Sequence, residues 1–456
     1  MSEGYHAEDQ SRSTGRRRFL QVVGAGLAAT TTGRVEATQA GSPPAVQPIF
    51  SYPTADRSPD DRHETVVTRL LERAAPESSV YCSLFTLTRD KISGAFVAAA
   101  DRGVDVNILI DEQSMHRSAT RLLLDELPDR AAVVTDGGVG DRHNHNKFLL
   151  LEELDTGDEN VVWQSSSNMT SSQLYNHNAS VVVRNDRPLY EAYRDYWADL
   201  ADGSQNLAYN RTEHGDSASV YFSPRDDFDT HIAALEDVVP SWKTRIHFMQ
   251  SIWTSSREAE SELIDRLAEL VEAGSEVRVV VQKGDEVVDR LREAGVDVVA
   301  YPSGDVGVHS KYMLVESDFE TESGDTERRR EVWTGSQNLS RPGLRRNDEA
   351  LLRFVDDYVY NEFLDDWERI HRRARRIDAE TESRRTDSDT TTQSDPPTSV
   401  NSARTTDMAM RDAIEPDEQS GWRERGYLYP LLATAAGGLA GSSYLVRRRL
   451  RSSGEQ

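Results

Sequence analysis

The sequence predicts an α/β protein of two homologous halves, each a helix-flanked mixed sheet, packed about an approximate two-fold axis with a shared site between them. Two observations carry this expectation. The body of the chain is written twice: "HNKFLLLE" at 145–152 returns as "HSKYMLVE" at 309–316, and "VWQSSSNMT" at 162–170 returns as "VWTGSQNLS" at 332–340. Within each copy, apolar β-rich runs alternate with amphipathic helical stretches, the pattern of a helix-covered sheet. Further pairs keep the same order at nearly the same displacement: "AADRGVDVNILID" at 99–111 with "LVEAGSEVRVVVQ" at 270–282, and "YRDYWADL" around Trp197 with "FLDDWERI" around Trp367. Self-similarity of this kind marks a duplicated unit.

Each copy reads in the same sequence of elements. An apolar strand ("SVYCSLFTLT", "RIHFMQSIWT") leads into an amphipathic helix that ends at Gly103 or Gly274. Glycine there suits the left-handed position past a helix end. A β-rich run follows ("VDVNILI", "SEVRVVV"), then a second helix and a further strand. The strand carrying the repeated histidine comes next, with a hairpin-like return strand and a terminal helix. The copies differ most between the histidine strand and its return, where the second half carries the loop "SDFETESGDTERRRE". Loop tips tolerate such variation.

Composition bounds the setting. The chain has 456 residues, 78 acidic against 53 basic, and a formal net charge of −25. Only Lys91, Lys147, Lys243, Lys283 and Lys311 are lysines. An acid-rich, lysine-poor chain resembles proteins of salt-loving archaea, and its charge speaks to solubility rather than fold. The single cysteine, Cys82, lies in an apolar run, which excludes an intramolecular disulfide and reads as a buried inert thiol.

The two ends differ from the body. Residues 1–45 hold "TGRRRFLQVVGAGLAATTT", the pattern of a twin-arginine export signal. Residues 46–202 and 216–372 are the two halves. Residues 373–426 read as a disordered Ser/Thr-rich linker, too poor in apolar residues for a core. "YLYPLLATAAGGLAGSSYLV" at 427–446 has no charge, and as a helix it would reach about 30 Å, the thickness of a bilayer core. The basic tail 447–456 places its end in the cytoplasm. Together these predict a protein exported by the twin-arginine route and held on the outer face of the membrane by a C-terminal single-pass helix.

The repeated motif carries the chemistry. His145 and Lys147, and His309 and Lys311, stand two apart on a strand and so share a face. An H-x-K run with an acidic residue at its end, followed by a G/S-S-x-N turn and present twice, resembles the phospholipase D superfamily over nearly the whole body. The chain departs from the family's usual pattern in having Glu152 and Glu316 where Asp is common, and Ser165 where the second half has Gly335. The resemblance implies a phosphodiesterase acting through a phosphohistidine, with no metal and no cofactor. One imidazole attacks phosphorus and the other protonates the departing oxygen. Lys147, Lys311, Asn168 and Asn338 would hold the non-bridging oxygens, with Ser166 and Ser336 as helpers and His177 lining the cleft. Glu152 and Glu316 read as strand-end residues outside the chemistry.

Aligning the alanines Ala179 and Ala350 sets Glu349 against Asn178. In the family this position often touches the motif histidine of its own half. On that expectation Glu349 raises the affinity of His309 for a proton, making His309 the acid and His145 the nucleophile. The slot of His143 holds Gly307 in the second copy, so His143 belongs to the cleft rim. His63, His116, His214, His231, His247 and His371 read as structural or exposed. The nearest phosphodiester for a tethered protein is a phospholipid headgroup, acted on by a monomeric catalytic body. A secreted nuclease is the alternative within the same chemistry. It would be expected to carry a basic groove, for which the composition gives no support. A non-catalytic surface binding module is the alternative outside that chemistry.

Overall fold

The computed structural model describes residues 45–54, 58–254, 258–301 and 306–391, with backbone only for 258–260 and 378–391. The first half contributes strands β1 (Val46–Phe50), β2 (Ser79–Leu84), β3 (Asp105–Asp111), β4 (Ala131–Val134), β5 (Lys147–Glu153), β6 (Glu159–Ser165), β7 (Asn176–His177) and β8 (Ala179–Val183). Its helices are α1 (Arg62–Arg73), α2 (Asp90–Asp101), α3 (Ser118–Glu126) and α4 (Arg187–Asp202). The second half contributes β9 (Thr212–His214), β10 (Ser219–Ser223), β11 (Arg245–Ile252), β12 (Glu276–Lys283), β13 (Asp297–Ala300), β14 (Gly307–Val308), β15 (Tyr312–Glu320), β16 (Thr326–Gly335) and β17 (Glu349–Val355). Its helices are α5 (Thr230–Glu236), α6 (Glu258–Glu272), α7 (Asp285–Glu293), α8 (Arg341–Arg345) and α9 (Asp357–Thr391).

The first sheet runs β1-β8-β6-β5-β2-β3-β4, and the second runs β13-β12-β11-β15-β16-β17-β10-β9. Read from opposite ends the two orders are the same, with β9 added at one edge. In each sheet the strands after the first helix pair in parallel (β2 with β3 and β3 with β4; β11 with β12 and β12 with β13), and the motif strand enters antiparallel between them and its return strand. Parallel neighbours need helical crossovers, which cover the sheet and make its strands apolar on both faces. "FLLL" in β5 and "YMLV" in β15 are accordingly buried. Each such side chain contributes about 1.5–3 kcal/mol on leaving water. Gly103 and Gly274 take φ of 91° and 92°, the left-handed cap expected of them.

Three apolar clusters fill the body. One lies between the first sheet and α1–α3, and another between the second sheet and α5–α7. The third is shared: Phe148, Tyr193, Tyr196 and Trp197 from the first half join Phe222, Tyr312, Phe363 and Trp367 from the second. The terminal helices α4 and α9 therefore sit in the seam, anchored alike. Trp197 donates from Nε1 to the Cys82 carbonyl and Trp367 to the Phe248 carbonyl, both at 2.9 Å. Burial pushes the pKa of the Cys82 thiol up, as fits its place in the core.

Three details differ from the sequence reading. The stretch "SDFETESGDTERRRE" is not a loop but a long hairpin, paired in register from Tyr312↔Thr334 to Glu320↔Thr326. Opposite charges face one another across it, Glu316↔Arg330 and Asp318↔Arg328, the cross-strand pairing that stabilises a ladder. Strand β9 begins at Thr212, before the start expected for the second half. Helix α9 continues to Thr391, past the expected end of the body, through a run with no glycine or proline to stop it. No helix among the described residues is long and apolar enough to cross a membrane. The export signal, most of the linker, the 427–446 segment and the basic tail lie outside the described residues.

Candidate active site

Each motif histidine sits just before its strand, and a residue of the opposite half meets it. β14 pairs in parallel with β7, so that Val308 faces His177, and His309 donates from its backbone to the His177 carbonyl at 2.8 Å. A matching parallel bridge joins Asn144 to Asp348, and Asp348 donates from its backbone to the His143 carbonyl at 2.8 Å. These two bridges are equivalent under the duplication. Each brings the residue before a motif histidine against the residue before Asn178 or Glu349.

The side chains follow the backbone. Glu349 reaches His145, with Nδ1 at 2.8 Å from Oε1 and 2.9 Å from Oε2. Asn178 reaches His309, with Oδ1 and Nδ1 3.2 Å apart. This corrects the expectation that Glu349 serves the histidine of its own half. The reason is the cross-half bridging, which places each of these residues nearer the other motif than its own. All four groups are buried.

The turn serines hold these partners in place. Ser336 donates to Glu349 at 2.5 Å and accepts from the Ala350 N–H at 3.2 Å. Ser166 donates to Asn178 Oδ1 at 3.1 Å and accepts from the Ala179 N–H at 3.1 Å. Asn347 adds a donor to Glu349 at 3.3 Å, and Gln173 accepts from the Asn178 amide at 3.0 Å. The carboxylate and the amide are thus fixed before any substrate arrives.

Lys147 and Lys311 fold back over their own motifs, donating to the carbonyls of His145 at 2.7 Å and His309 at 2.9 Å. Asn168 and Asn338 are buried beside them in sequence-equivalent turns, and both polar atoms of the Asn338 amide lack a hydrogen-bond partner. A buried amide without partners is costly unless a ligand supplies them. His177 donates from Nδ1 to the Ser51 carbonyl, 3.1 Å away, and its buried Nε2 has no partner among the described residues. Burial first, and then the guanidiniums of Arg373 and Arg369, lower its pKa to about 4, against the hydrogen bond to Ser51 and the charge of Asp60.

Glu152 stands near the far end of β5, as expected, but Glu316 lies in the middle of β15, because the second-half strand runs on into its hairpin to Glu320. Glu152 accepts from the Ser79 N–H at 2.9 Å, and Glu316 receives Arg245, Arg328 and Arg330 at 3.0–3.2 Å. His143 lies against Phe85 and bonds Gln113 at 3.1–3.2 Å.

Several site residues escaped the sequence reading. Phe85 packs edge-on to His145 with ring centroids 4.7 Å apart, and Lys147 Nζ lies 5.1 Å from its ring centre. Asp348 accepts from the N–H groups of Gly138, Val139 and Gly140 at 2.6, 3.0 and 2.5 Å, clamping a loop of the first half to the second. A Cβ on Gly140 would meet the Arg346 carbonyl at 2.1 Å, so only glycine lets the two backbones approach. Asp111, the last residue of β3, and Gln282, the last but one of β12, accept from the backbones of Asn144 (2.8 Å) and Val308 (2.5 Å), just before each motif histidine. The repeat alignment already sets Asp111 against Gln282, a polar residue closing an apolar strand in both copies, which is the signal that could have found them.

A family model described as cardiolipin synthase, phospholipase D-like domain, matches residues 67–200 and 241–371. A phospholipase D of Rickettsia prowazekii (strain Madrid E) is 26% identical over 132 residues, covering 29% of this chain and 58% of that protein. The polyphosphate kinase of Porphyromonas gingivalis is similar with TM-score 0.48 and 13% identity, over 71% of this chain and 50% of that one. The phosphatidylserine synthase of Haemophilus influenzae Rd KW20 is similar with TM-score 0.47 and 14% identity, over 68% of this chain and 84% of that one. The chain therefore spans a little under three fifths of the Rickettsia relative and half of the kinase.

Proposed function

We propose, because the chain belongs to the family of phospholipase D-like domains, that it is a phosphodiesterase or phosphatidyltransferase that works through a phosphohistidine on His145 and acts on phospholipid headgroups. The observation that carries the assignment is the buried contact of 2.8–2.9 Å between Glu349 and His145 Nδ1. A carboxylate on Nδ1 holds the proton there and turns the Nε2 lone pair outward. It also stabilises the positive charge that the ring acquires when Nε2 bonds to phosphorus, as an aspartate stabilises an imidazolium in a hydrolase triad.

In the first step the Nε2 lone pair of His145 forms the P–N bond as the P–O bond to the leaving group breaks. His309, held at Nδ1 by the neutral Asn178 amide, gives the leaving oxygen a proton. In the second step water or an alcohol attacks phosphorus, its proton passes to His309, and the P–N bond breaks. Lys147, Lys311, Asn168 and Asn338 bind the non-bridging oxygens, where fixed donors are worth most. His145 thus keeps the nucleophile's role, but for a reason opposite to the sequence argument: the carboxylate is its own partner, not its neighbour's.

The lipid reading rests on the 427–446 segment and the export signal, which would hold the body against the outer membrane face. The acid-rich composition suits a salt-loving host. The test is headgroup release from phosphatidyl lipids in molar salt, run beside single-stranded DNA, with the phosphoenzyme of the unaltered chain trapped by an alkaline denaturing quench, in which a P–N bond survives, and located by peptide mapping. Headgroup release with phosphate on His145 is the expected result. Phosphate on His309 would reverse the roles, and DNA cleavage without headgroup release would replace the lipid by nucleic acid.

A further inference from the structure

Helix α9 brings two guanidiniums, Arg369 and Arg373, and α1 brings a third, Arg62, to the Asn178 side of the site, in a chain whose net charge is −25. Arg369 lies over the Tyr52 ring at 4.0 Å, and Arg62 of α1 lies over the same ring at 5.0 Å. Arg373, one helical turn after Arg369, donates to the Pro53 carbonyl at 2.9 Å. The segment they hold leads directly into the site. Ser51 accepts from the Asn178 N–H at 2.8 Å, donates to the Asn176 carbonyl at 2.8 Å, and its carbonyl meets His177. Asn178 in turn holds His309. From Ser51 to Pro53 is two residues, a span of about 7 Å.

Arg369 and Arg373 make no ion pair with a carboxylate among the described residues, whereas the next arginines along, Arg372 and Arg375, pair with Glu368 and Asp297. Two carboxylates face the cluster, and each has a partner other than Arg369 and Arg373, although the buried Oδ1 of Asp366 has none among the described residues. Asp60 takes Arg62 at 3.5 Å and the Tyr52 N–H at 2.8 Å, and Asp366 takes the Tyr312 hydroxyl at 2.8 Å. Beside the arginines, His177 Nε2 and the Tyr301 hydroxyl are buried without partners, in rings 6.0 Å apart.

The first half has nothing similar. Aligned on the anchoring tryptophans Trp197 and Trp367, Arg369 corresponds to Asp199 and Arg373 to Gly203. Asp199 is taken by Tyr209 at 2.5 Å and by Arg211 at 3.4 Å. One flank of the site is acidic and satisfied, and the other is basic and open.

We propose that Arg62, Arg369 and Arg373, with His177 and Tyr301, form a second anion subsite, so that the preferred substrate is a phosphodiester carrying a further phosphate on a short polyol. This rests on the phosphodiester reading above and names its substrate class: a lipid whose headgroup ends in a phosphate, in preference to one whose headgroup is neutral. Guanidiniums bind phosphate oxygens through paired N–H groups, which a compact ammonium does not match.

The test is calorimetric titration of the full-length chain with glycerol 1,3-bisphosphate and with glycerol 3-phosphate. A pair of charge-assisted contacts gives the bisphosphate an advantage of about ten-fold. Arg369→Gln reduces that ratio, and Arg369→Gln with Arg373→Gln brings it close to one. The ratio is the readout, so a general change in affinity does not mimic the result. Equal affinity for the two compounds in the wild type, or an advantage that survives the double substitution, overturns the subsite. In the lipid arm, phosphatidylglycerol phosphate is cleaved faster than phosphatidylglycerol by the wild type and not by the double variant. If neither lipid is cleaved while the bisphosphate advantage stands, the lipid reading fails and the subsite remains.

Discussion

The first half offers the facing motif histidine an amide, Asn178, where the second half offers a carboxylate, Glu349. Around this one difference the halves agree closely: the same strand order, the same serine behind the partner, the same lysine folded onto its motif carbonyl. A duplicated scaffold therefore holds two chemically unequal imidazoles. The teaching is that symmetry supplies the placement, while a single exchange of amide for carboxylate gives the two histidines different partners.

The sharpest way to break this comparison is to remove each histidine in turn. His145→Ala and His309→Ala each lower turnover of a phosphatidyl lipid by about 10³-fold or more. A substrate with a 4-nitrophenolate leaving group separates them, because that group departs without a proton. The first-turnover release of 4-nitrophenolate recovers substantially in His309→Ala and stays lost in His145→Ala. Equal recovery in the two would show that the imidazoles are interchangeable.

Next in size is Glu349→Gln. It keeps a hydrogen-bond acceptor beside His145 but withdraws the charge that would stabilise the proposed cationic phosphohistidine. A loss of about 10²–10³-fold in kcat is expected, the usual cost of removing one fixed electrostatic contact to a developing charge. Asn178→Ala, read in the same assay, costs less, because it removes orientation without removing charge. A larger loss in Asn178→Ala than in Glu349→Gln would reverse the division of labour.

Third is the clamp between the halves. Asp348 accepts three N–H groups of the Gly138–Gly140 loop and lies next to Glu349. Its counterpart His177 makes one side-chain hydrogen bond, to Ser51. Asp348→Ala leaves buried donors without acceptors and is expected to lower stability by roughly 3 kcal/mol, read by chemical denaturation. Activity at temperatures where the variant remains folded falls as well, because the clamp places Glu349 against His145. Unchanged kcat in the folded variant would mean that the two bridging strands alone set that contact.

Much of this was legible in the sequence. The repeat exposed the duplication, the alternation of strands and helices gave the layered sheets, and the two H-x-K runs located the histidines and lysines. What stayed hidden was which half serves which histidine. Local spacing reports what shares a strand face, but the contact between Glu349 and His145 depends on parallel bridges between segments about 200 residues apart. Phe85 and the Asp348 clamp escaped for the same reason. An aromatic at the end of an apolar strand and an aspartate beside a glutamate carry no periodic signal, and their roles come from the other half. The hairpin of β15 and β16 was misread as a loop because its charged residues look solvated one at a time and become a paired ladder only across the strands.

The smallest expected effect lies in the seam, where the halves again differ by one exchange. Tyr196 of α4 and Asp366 of α9 occupy equivalent positions, packed on Phe148 and on Tyr312 respectively. Burial raises the pKa of Asp366 to about 7, against the hydrogen bond from Tyr312 and the charge of Arg369. A carboxyl whose pKa is higher folded than unfolded favours the folded state below its unfolded pKa, near 4, and this contribution is lost as pH rises through about 7. Asn at this position keeps an oxygen for the Tyr312 hydroxyl and cannot ionise. Asp366→Asn should therefore gain melting temperature relative to the wild type between pH 4 and pH 8, by about 2–4 °C for each kcal/mol of ionisation cost relieved. The corresponding Tyr196→Phe, which removes a hydroxyl that stays neutral over this range, should show a constant offset with pH. A pH-dependent offset in Tyr196→Phe, or a constant one in Asp366→Asn, would show that the exchange of tyrosine for aspartate does not make the second half the pH-sensitive partner in the seam.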